Sequence, residues 1–132
     1  MKFLIPYLIS TPIFFIIDIT WLGFIAKPIY QKYLGYIMAE NTKWGAAILF
    51  YLLFIAGLVI FAIAPALEKG SLTHAILYGA LFGFFAYMTY ELTNYAVIEG
   101  WPWQIVIIDI VWGIVLGGAV SGLGYYFTKL IG

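Results

Sequence analysis

Three carboxyl groups lie inside long apolar stretches of the sequence. Asp18 is in the first stretch, Glu91 is in the third, and Asp109 is in the fourth. An ionisable side chain at the centre of a membrane helix costs about 2.5–3.5 kcal/mol on insertion scales, so such residues are by default candidates for function. A carboxyl can exchange protons, hold a cation or act as a general acid. These three residues are therefore the ones best suited to chemistry.

The composition indicates an integral membrane protein. Hydrophobic residues make up 65% of the 132 residues and charged residues 9%, with a mean hydropathy of +1.05. A water-soluble domain needs far more surface charge. The net charge of zero argues against a nucleic-acid partner, and the absence of cysteine excludes disulfides and thiolate chemistry. We predict a single integral membrane domain over residues 1–132, with membrane lipids as partners and without a cofactor.

Four apolar runs have the length of a transmembrane helix, which must cross about 30 Å of hydrocarbon. They cover approximately residues 3–26, 44–64, 72–97 and 103–130. Backbone polar groups must be satisfied within the chain in lipid, and no strand-like alternation is present. The predicted fold is an all-α membrane protein, a bundle of four transmembrane helices.

The segment between the first two spans is predicted to be an interfacial helix. Residues 28–43 mix aromatic, apolar and lysine positions and are too few to span a membrane. Lys27-Pro28 is expected to end the first helix, because a residue before proline is disfavoured in helical geometry. Tryptophans at the ends of spans are expected at the membrane–water interface, namely Trp44, Trp101 and Trp103.

The depths of the three acids agree with one another. We call the membrane face that holds the N-terminus face A and the opposite one face B. At 1.5 Å per residue, all three acids lie about 9–12 Å below face B. Helical periodicity adds further side chains to their faces, whereas the second helix offers only Tyr51 and is expected to be lipid-facing support. The predicted pocket contains Asp18, Glu91, Asp109, Asn94, Tyr90, Tyr87, Trp21, Trp112 and Thr11.

No lysine is placed within the membrane to neutralise these acids. They are therefore expected to be protonated, to share protons or to hold a cation, and Trp21 and Trp112 could cage an organic cation. A metal site would have only oxygen ligands, and none is predicted. A purely structural role, in which the carboxyls hydrogen-bond one helix to another, is the other interpretation.

Small residues at helical spacing predict close packing of the third and fourth helices. They are Gly79, Gly83, Gly113, Gly117 and Ser121. A neighbouring pair, Gly118 and Gly122, extends this stripe beyond what one partner helix needs. We therefore expect a homo-oligomer.

Several motifs together resemble a known family. They are D-I-T-W-L-G from Asp18, G-A-L-F-G-F-F-A-Y-M-T-Y-E-L-T-N from Gly79, W-P-W from Trp101 and D-I-V-W-G from Asp109. The chain resembles the small bacterial predicted membrane proteins catalogued as domain of unknown function 2177, from about Asp18 to Gly113. The resemblance implies a four-helix bacterial membrane protein without an established activity. Its motif positions are Asp18, Trp21, Gly23, Tyr90, Asn94, Trp101, Pro102, Asp109, Trp112 and Gly113. Aspartate is expected where this chain has Glu91, whose longer side chain alters the pocket geometry.

Three functions fit these features. The first is proton- or cation-coupled transport of a small solute by an oligomer. The second is a membrane enzyme acting on a lipid or isoprenoid substrate, with one carboxyl as general acid. The third is a non-catalytic assembly subunit. The sequence favours a non-enzymatic role, because no cofactor motif or nucleophile–base pair is present.

The expected location is the bacterial cytoplasmic (inner) membrane. Lysines are balanced between the faces, with Lys2, Lys69 and Lys129 at face A against Lys27, Lys32 and Lys43 at face B. Because cytoplasmic loops are enriched in lysine and arginine, the α-amino group tips the balance towards cytoplasmic termini.

Overall fold

The computed structural model describes residues 2–38 and 43–132, and these form four long helices. The helices run over Leu4–Leu34, Trp44–Lys69, Leu72–Val97 and Trp103–Ile131. Each is long and apolar enough to cross a membrane, and the described residues contain no strand. The predicted all-helical fold with four membrane spans is confirmed.

The first helix does not end at Pro28, so the prediction of a break there was wrong. An α-helical part over Leu4–Thr20 leads into a π-helical turn over Trp21–Ala26 and then into α-helix again over Lys27–Leu34. Proline lacks an N–H, and its ring collides with the carbonyl four residues earlier in a regular α-helix. The wider π-turn bonds each residue to the fifth along and so accommodates the proline. The helix expected between the first two spans thus continues the first one. Positions 39–42 of that predicted segment lie outside the described residues.

The second helix passes a proline in the same way. Its α-helical part over Trp44–Leu58 is followed by a π-turn over Val59–Ile63 and by a last α-helical part over Ala64–Lys69, which begins just before Pro65. The helix therefore extends five residues beyond the predicted end at residue 64. Both π-turns end two residues before a proline that would otherwise disrupt the helix.

Local signals fix the two ends of the third helix. Gly70 has a φ of +65°, a left-handed conformation that favours glycine after a helix. The hydroxyl of Ser71 then accepts a hydrogen bond of 3.1 Å from the backbone N–H of His74, which caps the third helix. At the opposite face Gly100 has a φ of +77°, just before Trp101 and Pro102 lead into the fourth helix.

The apolar core is built mainly by the second helix, so its assignment as lipid-facing support was wrong. Five of the eight residues in the main buried cluster come from it. They are Phe54, Ile55, Leu58, Val59 and Ile63, and they pack with Phe14, Leu116 and Val120. This helix is apolar on every side, so its sequence carries no periodic signal for the buried face.

The third and fourth helices approach each other backbone to backbone. A Cβ atom built on Gly83 would collide with the carbonyl of Gly113, and one on Gly117 would collide with the carbonyl of Gly79. Gly79 also lies against the side chain of Ser121. Residues without a side chain are what allow helices to pack this closely in lipid.

Candidate functional site

A cavity of about 330 Å³ lies between the four helices, and each helix contributes to its wall. Two carboxyl groups, those of Asp18 and Asp109, line it from different helices. The remaining wall is aromatic or apolar. The lining residues are Asp18, Trp21, Leu22, Tyr30, Ala47, Phe50, Tyr51, Ala86, Tyr87, Tyr90, Asp109 and Trp112.

Asp18 is buried, with 4% of the residue exposed. The indole of Trp112 and the hydroxyl of Tyr51 are directed at its carboxyl group. Both are hydrogen-bond donors, so they can stabilise an acceptor oxygen without supplying a positive charge. Tyr51 comes from the second helix and was not among the predicted site residues, although it is the only polar side chain in the middle of that helix.

Asp109 is held by a residue that the sequence interpretation missed. The hydroxyl of Tyr30 donates a hydrogen bond to Oδ1 of Asp109. Tyr30 lies in the part of the first helix that follows Pro28. It lines the membrane cavity because the helix continues through the proline. A prediction that ends the helix at Lys27 necessarily assigns this tyrosine to the interface.

The two tryptophans of the Asp-x-x-Trp repeats stack on each other. The ring centroids of Trp21 and Trp112 are 4.4 Å apart and their planes differ by 9°. A spacing of three residues places each indole about one helical turn from its own aspartate, on the same side of the helix. The Nε1 atom of Trp21 is buried and has no hydrogen-bond partner among the described residues. The repeat thus brings two aspartates and a pair of indoles to one cavity.

Glu91 does not line the cavity, in contrast to its predicted place there. The residue is fully buried, and its Oε1 accepts a hydrogen bond of 2.9 Å from Nε1 of Trp101. Its carboxyl adjoins that of Asp109, and Oε2 has no hydrogen-bond partner within the described chain. The third carboxyl therefore lies behind the cavity wall, in contact with the acid that forms part of that wall.

The other predicted site residues divide into two groups. Tyr87 and Tyr90 line the cavity together with the tryptophans. Thr11 does not, because it lies about two turns closer to face A and its hydroxyl donates a hydrogen bond of 2.7 Å to the carbonyl of Tyr7. Asn94 also lies outside the lining, beside Tyr90.

Trp101 departs from its predicted interfacial position. It is 8% exposed, whereas Trp44 and Trp103 are 61% and 57% exposed. All three tryptophans lie at helix ends, so their sequence positions alone do not distinguish the buried one. Gly100 is the available signal for the buried tryptophan. Its left-handed backbone marks a defined turn immediately before Trp101.

An apolar layer closes the cavity towards face A. Phe14, Ile55 and Leu116 each lie four residues, or one turn, closer to face A than the lining residues Asp18, Tyr51 and Trp112. These three side chains are fully buried, as are Leu58 and Val120 packed beside them. We call these five residues the apolar seal. None of these five side chains contains a polar atom.

Comparison with known proteins identifies the family. The family model described as "Predicted membrane protein (DUF2177)" matches residues 3–126. The chain belongs to this family, which is a family of predicted membrane proteins of unknown function. No curated protein and no solved structure matches the chain. Its function is therefore argued from the cavity.

Proposed function

We propose that this member of the domain of unknown function 2177 family carries a small solute across a bacterial cytoplasmic membrane, coupled to the binding of protons or a cation. The observation that supports this is the pair of carboxyls, Asp18 and Asp109, facing one intramembrane cavity from two helices. Binding at this pair is the coupling step. A carboxyl that alternately holds a proton and a cation links the movement of one to the other.

The charge balance around the cavity favours a positive occupant. A buried carboxylate without a positive partner is strongly disfavoured. The ion pair found among the described residues joins Lys2 to Glu68, and both side chains are more than half exposed at face A. The cavity lining contains no lysine or histidine. A bound cation or a transferred proton therefore supplies the charge that the protein does not.

The seal supports a carrier in preference to an open channel. Its five apolar side chains fill the bundle beneath the cavity, so a bound solute is closed off from face A. Carriers in general bind near the middle of the membrane and open to one side at a time. The seal blocks passage through the centre of a single bundle. We therefore propose that the transporting unit is a homo-oligomer, in which helices can rearrange against a second copy.

Purified protein in liposomes tests this proposal. A pH-sensitive dye inside the vesicles reports proton movement driven by an imposed gradient of Na⁺ or of benzyltrimethylammonium. We expect flux with the native chain and loss of at least nine-tenths of it in Asp18→Asn and Asp109→Asn. Glu99→Gln is the matched control, because Glu99 is an exposed acid outside the cavity. Equal flux in native and Asp18→Asn vesicles would refute the coupling role.

A second candidate is an enzyme acting on a lipid or isoprenoid chain. It is favoured by the aromatic wall and by Phe50 and Tyr90, which line the cavity yet are 45% and 55% exposed on the outer surface of the bundle. An apolar chain entering beside them would meet the carboxyls. Mass spectrometry of membrane lipids, with and without expression of the native chain and of Asp18→Asn, tests this. A lipid that changes only with the native chain would favour the enzyme over the carrier.

A further inference from the structure

We infer that the cavity binds an organic ammonium cation, with its charge beside Asp18 and its organic part against the aromatic wall. This inference rests on the proposed function in one respect, which is that the same cavity is the solute site. It adds the chemical class of the solute.

Seven of the twelve lining residues are aromatic. They are Trp21, Tyr30, Phe50, Tyr51, Tyr87, Tyr90 and Trp112. The face of an aromatic ring attracts a cation, and clusters of such rings recognise quaternary ammonium groups. Because Trp21 and Trp112 stack in parallel, one face of each indole is covered by the other and the second face lies outside the pair. The wall therefore offers both apolar contact and attraction for positive charge.

The oxygen atoms of the cavity do not suit a hard metal ion. Calcium takes six to eight oxygen ligands, and magnesium requires an octahedron of oxygens. Among the described residues two carboxyls line the cavity, and one of them already accepts a hydrogen bond from Tyr30. Across the described ranges, no group of three or more His, Cys, Asp or Glu side chains is placed to hold a metal. A weakly hydrated organic cation needs no such ligand set.

The two lining carboxyls have different surroundings. Asp109 accepts the hydrogen bond from Tyr30 and adjoins the carboxyl of Glu91. Asp18 faces the donor groups of Tyr51 and Trp112 instead. One oxygen of Asp109 is therefore occupied by Tyr30, whereas a cation beside Asp18 would also lie next to Trp112 of the stacked indole pair. The structure thus assigns the contact with the cation to Asp18.

The volume limits the size of the cation. At about 330 Å³ the cavity is at the lower end of the range of roughly 300–1,000 Å³ found for small-molecule sites. One aromatic ring with a trimethylammonium group is a suitable probe. Benzyltrimethylammonium has a neutral carbon counterpart of nearly the same shape, neopentylbenzene, and the pair differs in charge alone.

The experiment measures equilibrium binding to the native chain in lipid nanodiscs by tryptophan fluorescence. We expect saturable quenching by benzyltrimethylammonium, at least tenfold weaker binding of neopentylbenzene, and no displacement of the cation by Mg²⁺. Asp18→Asn should weaken cation binding tenfold or more, and Glu99→Gln should leave it within twofold. Equal binding of the neutral compound, displacement by Mg²⁺, or the absence of saturable quenching would each overturn the inference.

The comparison of the charged and neutral probes uses the native chain, so a variant that fails to fold does not affect it. The binding and flux measurements can also refute the two hypotheses independently of each other. Saturable ammonium binding without flux in liposomes would uphold the ligand class and refute the carrier. Proton flux driven by Na⁺ without ammonium binding would uphold the carrier and refute the ligand class.

Discussion

The indole nitrogen of Trp101 donates a hydrogen bond of 2.9 Å to Oε1 of Glu91, and both residues are buried. Trp101 begins the approach to the fourth helix, and Glu91 lies in the third helix. The bond therefore joins the third helix to the short segment that leads into the fourth. It is also the one hydrogen bond recorded for the Glu91 carboxyl among the described residues.

Replacing Trp101 with phenylalanine should destabilise the bundle by about 1–2 kcal/mol, because a buried carboxyl loses its donor. Equilibrium unfolding in mixed detergent micelles measures this change. The matched control is Trp103→Phe, since Trp103 is 57% exposed and should lose little. Equal stability of Trp101→Phe and the native chain would show that the bond contributes nothing measurable.

At least one of the three membrane carboxyls should be protonated at pH 7. The described residues place no base beside Asp18, Glu91 or Asp109, and burying an unpaired carboxylate costs more than burying a neutral acid. Infrared spectroscopy detects the carbonyl band of a protonated carboxyl. We expect this band at pH 7 and expect Glu91→Gln to reduce it, because Glu91 is fully buried with one oxygen unpartnered.

The infrared control is Glu99→Gln, which removes an exposed acid and should leave the band unchanged. A spectrum without the band at pH 7 would contradict the prediction. So would a band that persists at full intensity in Asp18→Asn, Glu91→Gln and Asp109→Asn alike.

The third and fourth helices were predictable almost to the residue, whereas the first two were not. The expected spans 72–97 and 103–130 compare with Leu72–Val97 and Trp103–Ile131. Their ends are set by local signals, namely the Ser71 cap, the left-handed Gly100 and Pro102. The ends of the first two helices depend on whether a π-turn absorbs a proline. That outcome depends on the packing of the whole bundle, which a local sequence signal does not report.

The depth estimate counted Asp18 from a first helix ending at Ala26, whereas that helix runs to Leu34, and it could not separate Glu91 from the two acids that line the cavity. Depth alone does not show whether a side chain points into the cavity, because neighbouring residues of a helix point in different directions at nearly the same depth. Tyr87 lines the cavity from the same side of the third helix, one turn closer to face A, whereas Glu91 accepts the hydrogen bond from Trp101. Tyr30 was not predicted because the sequence did not show that the first helix continues past Pro28. Tyr51 was not predicted because the sequence did not show which face of the second helix is buried.

Gly83→Ala should destabilise the protein by about 1–3 kcal/mol, the usual cost of forcing extra atoms into a packed interior. The added methyl group would meet the carbonyl of Gly113, which is backbone and cannot turn aside. Thermal unfolding in detergent measures the effect. Gly45→Ala is the control, because a Cβ at Gly45 meets nothing within 4 Å. Similar melting temperatures for the two variants would refute a tight glycine contact.

Added lysines at face A should fix the orientation of the protein. Face A and face B each have three lysines, so the charge rule gives little preference. Glu68→Lys and Thr73→Lys together change exposed positions at the turn between the second and third helices. Reporter fusions at the C-terminus should then show an exclusively cytoplasmic terminus. Indifference to the added lysines would refute control by charge, and an exclusively external terminus in the native chain would refute the expected orientation.

We expect the glycine contact to divide the bundle into a stationary pair and a movable pair of helices. The third and fourth helices are regular throughout and touch backbone to backbone, so they can neither slide nor rotate against each other without a collision. Both π-turns, each followed by a proline, lie in the first two helices. Single π-turns inside α-helices are frequent at functional sites. A movement that breached the apolar seal would therefore withdraw Phe14 and Ile55, while Leu116 stayed with the stationary pair.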